Sequence, residues 1–373
     1  MHIAITVDQF NQLGGTPRVA VQLAHGYKAL GHDVTVFTTE WDRAYEAQFA
    51  FEKIYAPNKP AWLQTLTLPD AMARRLASSK FDFVHGHGNS TSTCDLLTFH
   101  TVHAAWLDIS ILEEKSFSWR RLAKRVYPFH RATIAMQGQI ARKHRGVFQA
   151  CSRAVRQEAI QYYGVDPDRI WAVPWGVDLE TFRPDPAMRA KRRQEWGFTE
   201  STPVLLMVAN EFHRKGLAQI LMAMAELGNP EVKLVTVGKA DPTPYLPLVQ
   251  KLGLEKQVLF LGLRPVASYY QAADLFIMPT TYEGWALVIG ESLASGLPVV
   301  TSKFAGSSDL IEPGKNGLLL QDPRDVNELA QALNTALKPQ MLQAMAAAAR
   351  PSVMHNTWLE ASRQLLALGT KIA

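Results

Sequence analysis

The chain reads as an α/β protein built from two doubly wound domains, and three observations lead there. Short apolar runs alternate with helix-length segments through most of the chain, which is the rhythm of parallel sheets covered by helices. A length of 373 residues exceeds one ordinary core and suggests two domains of similar size. Residues with chemical character, among them Arg214, Lys215, Lys239 and Glu283, fall where a strand gives way to a loop, the edge at which such sheets bind ligands.

Composition narrows the class. Hydrophobic residues make up 47% of the chain and charged residues 20%, the balance of a globular enzyme. The longest apolar runs fall short of the ~18 residues a membrane-spanning helix needs. The chain opens directly on a strand pattern, HIAITV, which leaves no room for a signal peptide and points to the cytoplasm. Two cysteines, Cys94 and Cys151, make neither a disulfide framework nor a four-cysteine metal site. A net charge of +5 is mild, so the question is where the excess lies.

The opening predicts a strand, a loop bearing Gly14-Gly15, a helix over about 16–30 and a strand over 34–37. The glycine pair lets backbone approach a ligand, and the helix start behind it favours an anion. The loop lacks the full G-x-G-x-x-G spacing, so packing alone also explains a glycine there. Residues 41–80 carry Pro57, Pro60 and Pro69 and give no clear pattern. Strands follow at 81–84 and 96–99, each trailed by histidines: His85, His87, His100 and His103. Four imidazoles in nineteen residues raise a metal site, but no acidic or cysteine partner sits at a matching spacing. Histidines at strand ends also serve as partners for hydroxyls or phosphates, and no metal is expected.

Residues 115–145 hold nine Lys and Arg and no Asp or Glu, interleaved with Trp119, Leu122, Val126, Tyr127 and Phe129. This is either an amphipathic helical region with solvated cations or a surface for anionic lipid or a phosphorylated acceptor. Nucleic acid is set aside because no recognised module accompanies the patch. Next come a strand at 146–151, a helix at 153–163 and a strand at 170–173. Asp166-Pro-Asp168 reads as a turn rather than a metal pair. The turn-rich run 174–184 reads as the linker out of the first domain.

The second half restarts the alternation with a strand at 204–208, a loop carrying Arg214-Lys215-Gly216 and a helix at 217–226. A planar guanidinium fork beside a point charge suits a phosphate. Strands at 232–237 and 258–261, a helix at 266–273 and a strand at 275–278 lead to PTTYEGWALVIGESLASG, residues 279–296. Here Glu283 lies in the loop and Glu291 in the helix, about 8 Å from its start. Free amides between two carboxylates suit a pyrophosphate flanked by hydroxyl-bearing groups. A strand at 299–301 precedes a polar loop, and beyond 322 the chain reads as helical, with Pro351 breaking one segment and a last amphipathic helix over 356–368.

Glu283-x7-Glu291, Arg214-Lys215-Gly216, Gly14-Gly15 and VPWGVDLETFRP at the junction occur together in this order. The set resembles the retaining glycosyltransferases of the GT-B fold, family 4 type, a group that contains the lipopolysaccharide glucosyltransferases. The resemblance implies two Rossmann-like domains facing across a cleft. Residues 1–174 would bind the acceptor, 175–354 the nucleotide sugar, and 355–373 would cross back onto the first domain.

The resemblance also implies roles. Glu291 would accept from ribose hydroxyls, and Glu283 would hold hydroxyls of the donor hexose. Arg214 and Lys215 would neutralise the departing diphosphate, bound also by amides at Gly14-Gly15 and around Ala286–Leu287. His100 would stand near the donor sugar, and Lys239 with Leu263 and Arg264 would border the base. No metal or other cofactor is implied. Where the family has glycine this chain has Ala286, a methyl at a place of expected close approach. The partners implied are a nucleotide-diphosphate sugar such as UDP-glucose and a saccharide or glycolipid acceptor, used in cell-envelope or lipopolysaccharide synthesis. The 115–145 surface would then meet the inner face of the membrane peripherally. A nucleotide-sugar epimerase, a histidine-based metal hydrolase and a non-catalytic membrane scaffold are the competing readings.

Overall fold

The computed structural model describes residues 1–112 and 119–370. They form two compact units, Met1–Gly176 together with the segment from Trp358 on, and Val177–Thr357. These boundaries lie two and three residues beyond the sequence-based breaks at 174 and 354. The reason is local: the Val177 N–H donates to the Asn356 carbonyl at 2.8 Å, and Val177 pairs with Thr357, so both crossing strands belong to the second unit.

In the first unit, besides a small pairing of Gln9–Phe10 with Glu40–Trp41, the strands of the main sheet are β1 (His2–Thr6), β2 (Asp33–Thr38), β3 (Ala50–Lys53), β4 (Phe83–His87), β5 (Leu96–Phe99), β6 (Val147–Ala150) and β7 (Ile170–Ala172). They form one parallel sheet in the order β3-β2-β1-β4-β5-β6-β7. Central β1 is covered on both faces, so Ile3, Ala4 and Ile5 are all buried, and its sequence is a continuous apolar run rather than an alternation.

Helix α1 (Gly15–Ala29) follows β1 and packs against the last helix, α14 (Trp358–Thr370). A Cβ on Gly26 would meet the Ser362 Oγ at 2.0 Å, and one on Gly369 would meet the Phe83 ring at 2.2 Å, so two glycines admit this helix. The unclear stretch 41–80 contains β3 and the helix α2 (Ala61–Leu76), with Pro69 inside it. Leu68, Met72 and Leu76 fall on one face and pack against Phe37 and Ile54, and that burial outweighs the proline penalty. Helices α3 (His103–Leu112), α4 (Trp119–Val126), α5 (Pro128–Lys143) and α6 (Arg153–Tyr163) complete the unit among the described residues.

Between the 174–184 linker and the first strand of the second unit lies α7 (Pro186–Trp196), a helix in a stretch that the sequence left unassigned. Asp185 caps it through the Met188 N–H, and Arg189 and buried Arg193 both reach Asp274, at 2.7 and 3.3 Å. The described strands are β8 (Val204–Val208), β9 (Lys233–Val237), β10 (Val258–Phe260), β11 (Leu275–Met278), β12 (Val299–Ser302) and β13 (Gly317–Leu320), parallel in the order β10-β9-β8-β11-β12-β13. The order reverses direction between β8 and β11, the place where sheets of this kind open a crevice. β13 also escaped the sequence reading. Its first residue, Gly317, lies so close to the Val299 carbonyl that a Cβ would sit 2.3 Å from it.

Helices α8 (Leu217–Leu227), α9 (Leu246–Lys251), α10 (Ala267–Ala272), α11 (Leu287–Ala294), α12 (Val326–Ala336) and α13 (Pro339–Val353) cover the sheet. Pro351 does not break α13; it sits within its last turn, where the Arg350 guanidinium holds the end by donating to the Phe182 and Ala294 carbonyls.

Candidate functional site

In the second unit the loops leaving β8 and β11 meet at the reversal point. Gly216 has φ of +81°, and a Cβ there would stand 2.6 Å from the Pro279 carbonyl, so only glycine lets the two loops touch. The Thr281 N–H and Thr280 hydroxyl both donate to the Arg214 carbonyl, at 3.0 and 3.2 Å. Glu283 is fixed from the other side: its N–H donates to Phe304 O, and its carbonyl accepts from Gly306. These backbone ties place Glu283 Oε1 2.7 Å from Arg214 Nη1 and 3.3 Å from Lys215 Nζ. Arg214 also pairs with Glu211 at 3.1 Å and donates to the Tyr282 carbonyl.

The three side chains remain 13–21% exposed, shielded yet open to a ligand. Burial pushes the Glu283 carboxyl upward, but Lys215 and Arg214 outweigh it and hold the group below its ordinary value, so it is ionised. The sequence reading assigned Glu283 to sugar hydroxyls alone; in the structure its Oε1 first serves to pair the two cations.

Glu291 is the fifth residue of α11, about 6 Å of rise from its start. It is 2% exposed, and the Tyr270 hydroxyl donates to its Oε2 at 2.9 Å. Ala286 caps α11 with φ of −97°, an ordinary value, and its methyl joins the apolar core. The Ala286 N–H is taken by the Ser307 Oγ at 3.2 Å, which corrects the expectation that it would bind phosphate. The first-turn amides of Leu287 and Val288 lack intrahelical acceptors by the geometry of any helix start.

Lys239, Leu263 and Arg264 stand on the same sheet edge, exposed, just past β9 and β10. The Gly238 N–H donates to Gly262 O at 2.9 Å, and Gly238, at φ of +140°, packs on Ala209 where a Cβ would clash at 1.9 Å. The Lys239 amide donates to Asn210 Oδ1 at 3.2 Å. Sequence reasoning missed Asn210, Glu211, Tyr270 and Ser307; Glu211, three residues before Arg214, was the one signal present in the sequence.

The first unit has a cavity of about 410 Å³ at the carboxyl ends of β1 and β4 and the start of α1. Gly14 caps α1, and a Cβ on Gly15 would meet nothing within 4 Å, so the space over this turn is open. Neither glycine has positive φ, so openness rather than backbone conformation is what they supply.

Three of the four histidines lie in a row, His85 packed on His87 with ring centroids 4.3 Å apart and His87 bonded to His100, while His103 pairs with His130. His85 is locked between the Tyr27 hydroxyl at 2.9 Å and the Thr98 hydroxyl at 2.8 Å. His87 Nδ1 lies 3.0 Å from His100 Nε2, and His103 Nε2 lies 3.0 Å from His130 Nδ1. Among the described residues no group of three or more His, Cys, Asp or Glu is arranged to hold a metal ion. Burial drives these rings neutral, with His100 at about 3 and His103 at about 4.

Asp8, another residue the sequence reading passed over, lies just past the end of β1 and lines the cavity. Its Oδ1 accepts from Thr39 at 3.0 Å and Gln64 at 2.9 Å, and burial with nearby Glu40 raises its carboxyl despite the Thr39 bond.

In the basic region, residues 115–118 lie outside the described residues. Helix α4 exposes Trp119, Leu122 and Val126, which recur at helical spacing, and Tyr127 beyond it is also exposed. No helix among the described residues is long and apolar enough to cross a membrane.

Two family models match the chain in tandem, Glycosyltransferase Family 4 over residues 13–181 and Glycosyl transferases group 1 over residues 188–351. The chain is 27% identical over 358 residues to the lipopolysaccharide glucosyltransferase WaaG of Escherichia coli K12, with 90% of each covered. Among solved structures it resembles WaaG, a glycosyltransferase involved in lipopolysaccharide biosynthesis, with a TM-score of 0.81 at 23% identity over 99% of this chain and 100% of the other. It also resembles Anabaena HepE in complex with UDP-glucose, with a TM-score of 0.72 at 20% identity over 98% of each. The tandem match, the two parallel sheets and the Glu283 cluster at the sheet reversal agree, and the chain belongs to the GT-B glycosyltransferases of the family 4 and group 1 type.

Proposed function

We propose that this glycosyltransferase moves a hexosyl group from a nucleotide-diphosphate sugar, UDP-glucose in the first instance, to a hydroxyl of a saccharide or glycolipid, with retention at the anomeric carbon. The observation that carries the reading is the meeting of Arg214, Lys215 and Glu283 at the strand-order reversal of the second unit. Arg214 and Lys215 take the diphosphate, together with the amides of Leu287 and Val288. Glu291, oriented by Tyr270, takes the ribose hydroxyls. Lys239, Leu263 and Arg264 border the base, and Glu283 Oε2 reaches hexose hydroxyls. Within the first unit, the cavity lined by His100 receives a saccharide, and the open turn at Gly14-Gly15 offers a helix start to an anion.

In the reaction the bond from C1 to the diphosphate oxygen breaks and a bond from C1 to the acceptor oxygen forms on the same face. The acceptor proton passes to the leaving phosphate. The two cations stabilise the charge that builds on that phosphate, so no metal ion or other cofactor is needed for this step.

The likeness to WaaG supports a place in lipopolysaccharide or related envelope synthesis. An acceptor of that kind is membrane-bound, and the apolar ridge of α4 with its neighbouring cations suits peripheral attachment to an anionic cytoplasmic surface. Co-sedimentation with vesicles containing anionic lipid checks this: reversing Arg121, Lys124 and Arg125 to Glu abolishes binding, and undiminished binding would refute it.

A thermal-shift panel of UDP, GDP, ADP and their sugars tests the donor assignment, since a ligand that binds only the native state raises its melting temperature. The reading expects uridine compounds to stabilise the protein and Arg214→Ala to remove the shift. Stabilisation by a different nucleotide moves the donor assignment, and stabilisation by none overturns it.

A further inference from the structure

The cavity of the first unit is bordered by a histidine pair whose protons the geometry orders. His87 Nδ1 and His100 Nε2 are 3.0 Å apart, so one ring donates to the other. The remaining nitrogen of His87, Nε2, is fully buried and has no hydrogen-bond partner. A proton on that nitrogen would leave a buried N–H with no acceptor, which is costlier than a buried lone pair with no donor. The His87 proton therefore sits on Nδ1 and is donated to His100 Nε2. A neutral His100 whose Nε2 accepts must carry its own proton on Nδ1. No described residue bonds to that nitrogen, and His100 lines the cavity.

We propose that His87 is a positioning residue that locks His100 as its Nδ1–H tautomer, so that His100 meets the cavity's ligand as a hydrogen-bond donor to a sugar hydroxyl oxygen. The identity of that ligand rests on the saccharide reading above. The surroundings hold the pair in this state. The His85 ring packs on His87 at 4.3 Å, with both its nitrogens engaged by Tyr27 and Thr98. Trp175 stacks on His100 at 5.5 Å, and the His100 carbonyl accepts from the Cys151 thiol. Asp8 and His103 are the other titratable groups lining the cavity. Burial keeps His87 and His100 neutral through the physiological range. As a fixed donor, His100 is unavailable as a base, so the acceptor proton must leave by another route.

The test uses the full chain labelled with ¹⁵N in its histidine rings. Long-range ¹H–¹⁵N spectra are recorded without substrate from about pH 5.5 to about pH 8.5, the range in which an ordinary histidine titrates. The expected result is a His100 ring protonated on Nδ1 throughout and a His87 ring protonated on Nδ1 beside it. A proton on His100 Nε2, or a His100 ring that titrates in this window, overturns the proposal. In parallel, H87N keeps a side-chain N–H near the place of Nδ1, and H87L removes it. The proposal expects H87N to retain kcat/KM within about threefold of wild type and H87L to lose about tenfold, the worth of one fixed hydrogen bond. Equal losses in both would show that His87 only fills space. Failure of the glycosyltransferase reading would appear separately, as wild-type protein that consumes no nucleotide sugar while the spectra stand unchanged.

Discussion

Replacing Glu283 by glutamine separates the two jobs of this side chain, because the substitution keeps its shape and removes its charge. One carboxylate oxygen neutralises both Arg214 at 2.7 Å and Lys215 at 3.3 Å. Breaking a fully buried pair by removing one partner costs about 3–5 kcal/mol, and these groups keep some exposure, so about 2 kcal/mol is expected here. For a unit of this size that lowers Tm by about 4–8 °C.

The sign of the pH effect follows from the depressed carboxyl. The pair's stabilisation is present above the ordinary value of 4.5 and is lost as pH falls through the lower folded value. The gap between wild type and E283Q therefore closes in acid. Diphosphate binding moves the other way. A ligand entering beside the cations no longer meets a carboxylate of like charge; at an effective dielectric of about 40 and a separation of about 6 Å this is worth about 1.4 kcal/mol, or tenfold in Kd.

The reasoning therefore expects E283Q to be less stable, to bind UDP about tenfold more tightly and to turn over nucleotide sugar far more slowly. Calorimetric titration with UDP, beside scanning calorimetry across pH, reads all but the last. Weaker UDP binding in E283Q would refute the pre-paired arrangement.

Three further outcomes follow from named contacts. Tyr270→Phe removes the 2.9 Å hydrogen bond to buried Glu291, so urea unfolding should show a loss of about 1–3 kcal/mol and the donor KM should rise with the acceptor KM unchanged. Gly26→Ala forces a methyl onto Ser362 and should cost about 1–3 kcal/mol, read as faster hydrogen exchange in α14. Ser362→Ala removes a buried hydroxyl that has no hydrogen-bond partner, so it should be near neutral alone and should rescue part of the Gly26→Ala loss. Asp8→Asn can keep both hydrogen bonds at Oδ1. Because burial raises the Asp8 carboxyl, its ionisation opposes folding above the ordinary value of 3.8, so the variant should be slightly more stable at neutral pH and equal to wild type in acid. Its acceptor KM should rise while UDP binding stays constant.

Much of the sheet edge was legible because β8 and β11 are uninterrupted apolar runs followed at once by polar loops. The elements that were missed share a cause. α2 contains Pro69, α7 begins in a turn-rich segment and β13 opens on Gly317, so local preference argued against each. Long-range contacts overrode it: the face of Leu68, Met72 and Leu76, the grip of Arg189 and Arg193 on Asp274, and the close approach of Gly317 to Val299. Nearness along the chain did bring His85, His87 and His100 together, but which hydroxyl or ring each one meets, Tyr27 and Thr98 for His85 and His130 for His103, was decided by the fold.

The amino-acid order by itself determined the α/β class, the two-domain division, the positions of Arg214, Lys215 and Glu283 at the mouths of strands and that of Glu291 in the helix beyond, because strand runs, loop residues and helix spacing are local properties. Only the tertiary structure decided that Glu283 pairs the two cations, that Tyr270 secures Glu291, and that the Ala286 methyl turns into the core. Those outcomes depend on segments far apart in the chain meeting within about 3 Å, as Arg214 meets Glu283 and Tyr270 meets Glu291, and such approaches are set by packing rather than by any local preference.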